Sequence, residues 1–258
     1  MNTYCIGNKE YTIKATCYNE LTGEQLIAVC KVLLEQNSQE LADMKMLFIL
    51  LGLNRFTFFK IPLDAKARMI MDIQWIFTIK GLTTQLIPHY KGLFAPASEF
   101  DNFRMAEWNA CEVYYHQYIK HNEVAALDKL IAVLYREPKK YYDFMKNVDG
   151  DCRVPFNQHE CEWMAARKIV YWSDEVKMAI LAWYDGCREA VTNMYDLFNG
   201  EGDEESSPGM FEIMRLLSGE RYGNFKDIEE LYVHIALRDM ECTKKENERL
   251  EAQLKNNS

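Results

Sequence analysis

Hydrophobic and polar positions along the chain mark out one pair of strands and a series of helices. Tyr4-Cys5-Ile6 and Tyr11-Thr12-Ile13-Lys14-Ala15-Thr16-Cys17 flank Gly7-Asn8-Lys9-Glu10, whose Gly and Asn supply turn geometry. The first 20 residues therefore predict a β-hairpin, which is marginal alone in water and is expected to pack on the helices that follow. Thr22-Gly23-Glu24-Gln25 is a capping box, and Leu26, Ile27, Cys30, Leu33 and Leu34 recur behind it at helical spacing. A second helix spans Ser38 to Leu51 and ends near Gly52. A third begins after Pro62 with Leu63-Asp64, and Ala67, Ile70, Met71, Gln74 and Trp75 follow. Between them Arg55-Phe56-Thr57-Phe58-Phe59-Lys60-Ile61 fits both a short helix and a docking segment.

Pro88, Gly92 and Pro96 interrupt the pattern from Thr83 to Pro96, which predicts an exposed connection. Helical periodicity returns over Asn102–His121 and Glu123–Arg136. Pro138 to Pro155 is a polar insert with turn chemistry at Asn147-Val148-Asp149-Gly150-Asp151. Two more helices follow, Asn157–Tyr171 and Asp174–Phe198, the second with Ser173-Asp174-Glu175 where a helix dipole favours acidic groups. Asn199 to Gly209 is acidic and built of small residues, and predicts a flexible loop. Met210–Leu217 reads as a short helix. Lys226–Leu254 is densely charged, and its apolar residues thin out beyond Met240, as in an exposed helix or one that awaits a partner helix.

Composition agrees with this reading. Twelve Gly and six Pro among 258 residues leave too few turn formers for many short strands. The expected fold is mainly α: a multi-helix globular bundle with a small N-terminal β-hairpin and a charged C-terminal helix. It divides into a hairpin packed on the helical body (1–20), a helical domain (21–198), the acidic loop (199–209) and a C-terminal helical segment (210–258). A net charge of −9 without a basic block beyond pairs such as Lys139-Lys140 argues against nucleic acid and anionic membranes as partners. No apolar run reaches the ~18 residues of a membrane span.

Candidate chemistry is thin. Glu112 and His116, and likewise Glu230 and His234, stand four apart, where ion pairing or hydrogen bonding is a better reading than the Glu-x-x-His spacing of a di-iron bundle. Cys152, His159 and Cys161 have zinc-compatible side chains, but no close Cys pair or evident fourth ligand accompanies them. The eight cysteines read as free thiols of a reducing cytoplasm. Nucleophile-elbow, phosphate-loop, dinucleotide, zincin and calcium-loop patterns are absent, so the expectation is no enzyme, no cofactor and no metal.

Three segments carry a resemblance. Leu127-Asp128-Lys129-Leu130-Ile131-Ala132-Val133-Leu134-Tyr135-Arg136 resembles an L-x-x-L-x-A-x-L-Y-R element, and Trp183-Tyr184-Asp185-Gly186-Cys187-Arg188 looks like a downstream Y-x-x-x-R helix. Phe211 to Gly219, then Tyr222-Gly223-Asn224-Phe225, is similar to a closing L-x-G…x-G turn before a charged helix. Together, over roughly residues 20 to 250, the chain resembles proteins encoded in the tail-gene regions of tailed bacteriophages and of prophages of gut bacteria. The resemblance implies a tail assembly chaperone in the cytoplasm of the bacterial host, shielding another phage tail protein that is long and helical like a tape measure. It supplies no catalytic residues. The candidate contacts are Phe56, Phe58 and Phe59 and, on the C-terminal helix, Leu250 and Leu254. The alternatives are a virion component such as a connector or tail-completion protein, and an enzyme whose site the sequence does not display. Self-association stays open.

Overall fold

The structure is a computed structural model that describes residues 1–142, 150–195, 197 and 225–256. It is mainly α, with ten α-helices among the described residues and a small antiparallel hairpin at the N-terminus. The acidic stretch 199–209 and the expected helix Met210–Leu217 lie outside the described residues. The chain forms two compact units, each discontinuous: residues 1–87 with 172–186, and 88–171 with 187–258. The division falls inside the segment 21–198 that the sequence presents as one helical domain.

The first unit opens with β1 (Asn2–Ile6) and β2 (Lys9–Ile13), paired so that Tyr4 faces Tyr11 and Ile6 faces Lys9. Gly7 turns the hairpin at φ +59°, which costs a residue without a Cβ little. Tyr11 and Ile13 are buried, and β2 lies against α2. Helix α1 (Gly23–Leu34) starts on the capping box: Gln25 N donates to Thr22 Oγ1 at 3.1 Å and Thr22 N to Gln25 Oε1 at 3.0 Å. Helix α2 (Gln39–Leu51) ends at Gly52 in the left-handed conformation, as its sequence predicts. The aromatic stretch is a helix, α3 (Arg55–Phe59), capped by Asn54 Oδ1 accepting from Thr57 N. Helix α4 (Leu63–Asp72) follows Pro62. The core gathers Leu26, Val29, Met46, Leu47, Leu50, Met69, Ile73 and Ile76.

The stretch 83–96 is only in part the exposed connection its prolines suggest: Pro88, His89, Lys91 and Gly92 are exposed, but its other residues are buried or half-buried. Ile87 and Leu93 are buried, as is Leu82 just before the stretch. Asn19 Oδ1 accepts from the backbone N of Thr83 and Thr84, each at 2.9 Å, and Trp183 Nε1 donates to Thr83 O at 3.0 Å. Side chains distant in sequence satisfy this irregular backbone, so it can be buried without a regular ladder.

The second unit holds a two-residue hairpin, β3 (His89–Tyr90) with β4 (Leu93–Phe94), and helices α5 (Met105–His121), α6 (Val124–Leu134) and α7 (Gln158–Arg167). Helix α8 (Asp174–Met194) gives its residues up to Gly186 to the first unit and the rest to the second. The C-terminal segment is two helices rather than one, α9 (Phe225–Glu229) and α10 (Val233–Asn256). At the break, Leu231 O accepts from Met105 N and Val233 N donates to Phe103 O, both at 2.9 Å. The Val233 N–H is thereby spent on the residues that lead into α5 and does not continue the preceding helix. Helix α6 is the centre of this unit, with Ala126, Leu130, Ile131, Ala132, Val133 and Leu134 all buried.

Candidate functional site

Two places concentrate unusual side chains. The first is the outer face of α3 and α4. An amphipathic helix should turn apolar residues inward and polar ones outward. Helix α4 does bury Ala65 and Met69, yet its exposed row at i, i+4 and i+8 is Leu63, Ala67 and Met71. Phe56 and Phe59, one turn apart on α3, are 84 % and 74 % exposed, and Leu63 and Met71 are each 76 % exposed. Scattered exposed apolar residues are ordinary, but five on two adjoining short helices are not. Phe58 differs. It is buried and meets Phe48 edge-on at 5.2 Å, so it belongs to the core and drops out of the expected contact set. Its position on α3 is the reason: Phe56 and Phe59 share a face that Phe58 does not.

Lys66 sits under this face. The residue is only 5 % exposed, and its Nζ lies 4.6 Å from the centre of the Phe58 ring and 5.8 Å from that of Phe59. Cation–π attraction holds the ammonium there, and neither a hydrogen bond nor an ion pair reaches it among the described residues. The aliphatic stem is enclosed while the ammonium keeps contact with solvent, as a snorkelling lysine does.

Leu250 and Leu254 are 53 % and 69 % exposed on α10. The early residues Val233, Ala236 and Leu237 are buried, whereas Cys242 to Glu246 are exposed. Among the described residues no helix is long and apolar enough to cross a membrane.

The second place is a charge cluster in the second unit that the sequence reading missed. Glu107, on α5, accepts from Arg136 Nη2 at 2.6 Å and from Arg153 Nη2 at 3.0 Å. Arg153 also forks onto Asp151, with Nε 2.8 Å from Oδ1 and Nη2 3.0 Å from Oδ2. All four residues are buried. Both arginines cap α6: Arg136 Nη1 donates to Val133 O at 2.9 Å and Arg153 Nη1 to Leu134 O at 3.1 Å. Those carbonyls have no partner within the helix and lie at its negative pole, where cations are favoured. Arg136 Nε donates to Val154 O at 2.9 Å. Burial alone would raise the Asp151 carboxyl, but hydrogen bonds and charge from Arg153 and charge from Arg136 outweigh it and hold it below the usual range. Burial opposes charge on Arg153, and Glu107 and Asp151 overcome that too.

A cavity of about 440 Å³ opens over this cluster, with Arg104, Lys139, Phe156, Lys226, Glu229 and Glu230 in its wall. Every nitrogen of the two guanidiniums already donates, and two cations face two carboxylates. The cluster is a clamp that ties the 151–154 stretch to α5 and to the end of α6. A local signal was available only for Arg136, a cation directly after an apolar helix. Nothing near Arg153, inside a polar insert, announces its burial.

The other candidates separate. Glu112 takes both oxygens to Arg188 Nε at 2.9 and 3.1 Å, with His116 3.7 Å away. Glu230 and His234 do not share a helix. His234 instead meets Tyr195 Oη through Nδ1 at 3.0 Å and Glu99 O through Nε2 at 2.7 Å. His159 is exposed while Cys161 is buried, and the described residues hold no group of three metal-ligand side chains. Cys30, Cys111, Cys161 and Cys187 are buried, and burial pushes each thiol up, to about 12 for Cys30 and Cys187.

No family model matches this sequence, and neither the curated proteins nor the solved structures include a match.

Proposed function

We propose that the chain is a non-enzymatic assembly factor that binds a helical segment of another protein. Following the resemblance of its helical elements, we read it as a phage tail assembly chaperone acting on a tape-measure-like protein in the bacterial cytoplasm. The observation that carries this reading is the apolar outer face of α3 and α4, with Phe56, Phe59, Leu63, Ala67 and Met71 turned to solvent. Helix-in-groove and helix-on-face recognition uses such anchors, one helical turn apart, to cover an apolar stripe that would otherwise self-associate. Leu250 and Leu254, four apart on the exposed part of α10, are a second apolar pair of the same kind.

The test is co-expression with the tape-measure protein of the same phage. Soluble yield of that protein should rise with the native chain and fall back with the double variant Phe56→Ala/Phe59→Ala. Equal solubility with and without the chain ends the chaperone reading. Mass spectrometry of purified particles separates the roles: a chaperone is absent, a virion component is present in fixed copy number.

A further inference from the structure

We propose that the α3–α4 face accepts an acidic amphipathic helix, one of whose carboxylates pairs with Lys66. This rests on the partner-binding reading above and adds the chemistry of the partner. Three observations lead to it. Lys66 is nearly enclosed and its ammonium is satisfied only by the rings of Phe58 and Phe59 and by remaining solvent. Any partner that covers Phe59 takes that solvent away. A buried ammonium without a counter-charge is strongly unfavourable, so a partner that binds must bring an acceptor, and a carboxylate is the best one.

The rim points the same way. Residues 55–72 contain Arg55, Lys60, Lys66 and Arg68 against Asp64 and Asp72, a local excess of two positive charges in a chain of net charge −9. Both acids are engaged: Asp64 with Arg68 at 3.4 Å, and Asp72 with the hydroxyl of Tyr4. Arg55 and Lys60 are exposed and form no ion pair among the described residues. An apolar row edged by free cations complements an apolar stripe edged by glutamate or aspartate, and charge of this kind sets partner choice and association rate.

The probe is a synthetic peptide of about three heptads with Leu at the core positions and Glu at the flanking ones, beside a version with Gln for every Glu. Binding to the full chain is read by fluorescence anisotropy at low and moderate salt. The Glu peptide should bind more tightly than the Gln peptide, and added salt should weaken it. Lys66→Met, which keeps the aliphatic stem, and Lys60→Glu should each weaken the Glu peptide, the former by about tenfold or more. Lys66→Met should melt no lower than the native chain, since it keeps the packing of the stem and breaks no hydrogen bond or ion pair among the described residues; a merely structural lysine would lower the melting temperature.

Equal binding of the two peptides, or indifference to Lys66→Met, overturns the proposal. So does failure of the Glu peptide to bind, or binding that phosphatidylglycerol vesicles reproduce and compete away. In each of those cases a loss of tape-measure solubility in the Phe56→Ala/Phe59→Ala co-expression would leave the partner-binding reading standing by itself.

Discussion

Glu107 is the residue on which most depends in the second unit. Its two oxygens serve two buried guanidiniums, and removing it takes away the shortest ion pair of Arg136 and leaves Arg153 with Asp151 alone. Glu107→Ala should cost about 3–5 kcal/mol, the range for breaking a buried ion pair from one side, read by urea unfolding. Asp151 adds a pH dependence. Its carboxyl is held below the ordinary value of about 3.9, so its contribution is fully present above that value and is lost as pH falls through the lower folded-state one. The urea midpoint of the native chain should therefore fall below about pH 4. Asp151→Asn should start lower at neutral pH and show a shallower fall; an unchanged slope would remove Asp151 from the account. Lys66 is the opposite case at this scale, a charge whose removal should leave stability intact and change only what the surface binds.

At the scale of elements, close backbone approach matters most where α8 passes the stretch after α4. A Cβ at Gly186 would stand 2.3 Å from Leu82 O and 2.8 Å from Leu82 N. Those are backbone atoms, not the mobile end of a side chain, and the Asn19 side chain bonds the backbone on both sides of them, at Gly81 O and at Thr83 N, so they cannot give way cheaply. Gly186→Ala should destabilise by about 1–3 kcal/mol, whereas the same change in an open helix would stabilise it. Thermal unfolding distinguishes the two. Two consecutive residues with side chains, Glu99 and Phe100, also hold positive φ, at 57° and 62°. The Phe100–Phe103 stack and the bond from His234 to Glu99 O hold that turn in place.

For the whole molecule, burial fades toward the C-terminal end of the described residues, along α10. Leu237 is fully buried, but residues 242–246, 249, 250, 253 and 254 are all exposed. Deleting residues 243–258 should therefore shift the melting temperature by less than about 2 °C, since exposed helix contributes little to a folded core. A larger drop would mean that these residues contribute to the fold despite their exposure. Under the proposed function the same truncation weakens tape-measure binding through loss of Leu250 and Leu254, which pull-down from the co-expression reads directly.

Local rules reached far into this fold. The capping box at Thr22, the Gly52 stop, the start after Pro62 and the Gly7 hairpin each follow from interactions within a few residues, and the structure shows each in place. The aromatic stretch 55–61 was visible as unusual, with its helix or docking character undecided. Its division into inward Phe58 and outward Phe56 and Phe59 needed the helix to exist and one side of it to be covered. What sequence could not reach depends on partners far apart in the chain. The enclosed start of the 83–96 stretch, at Thr83 and Thr84, rests on Asn19 and Trp183, about 64 and 100 residues away. The break between α9 and α10 rests on Phe103 and Met105. Arg153 is buried because Glu107, 46 residues earlier, waits for it on α5. Periodicity, caps and turn residues act over one or two helical turns, so sequence by itself determined the kind and order of the elements. Ion pairing and backbone satisfaction in a low-dielectric interior act between whichever groups the chain brings together, and only the tertiary structure decided those.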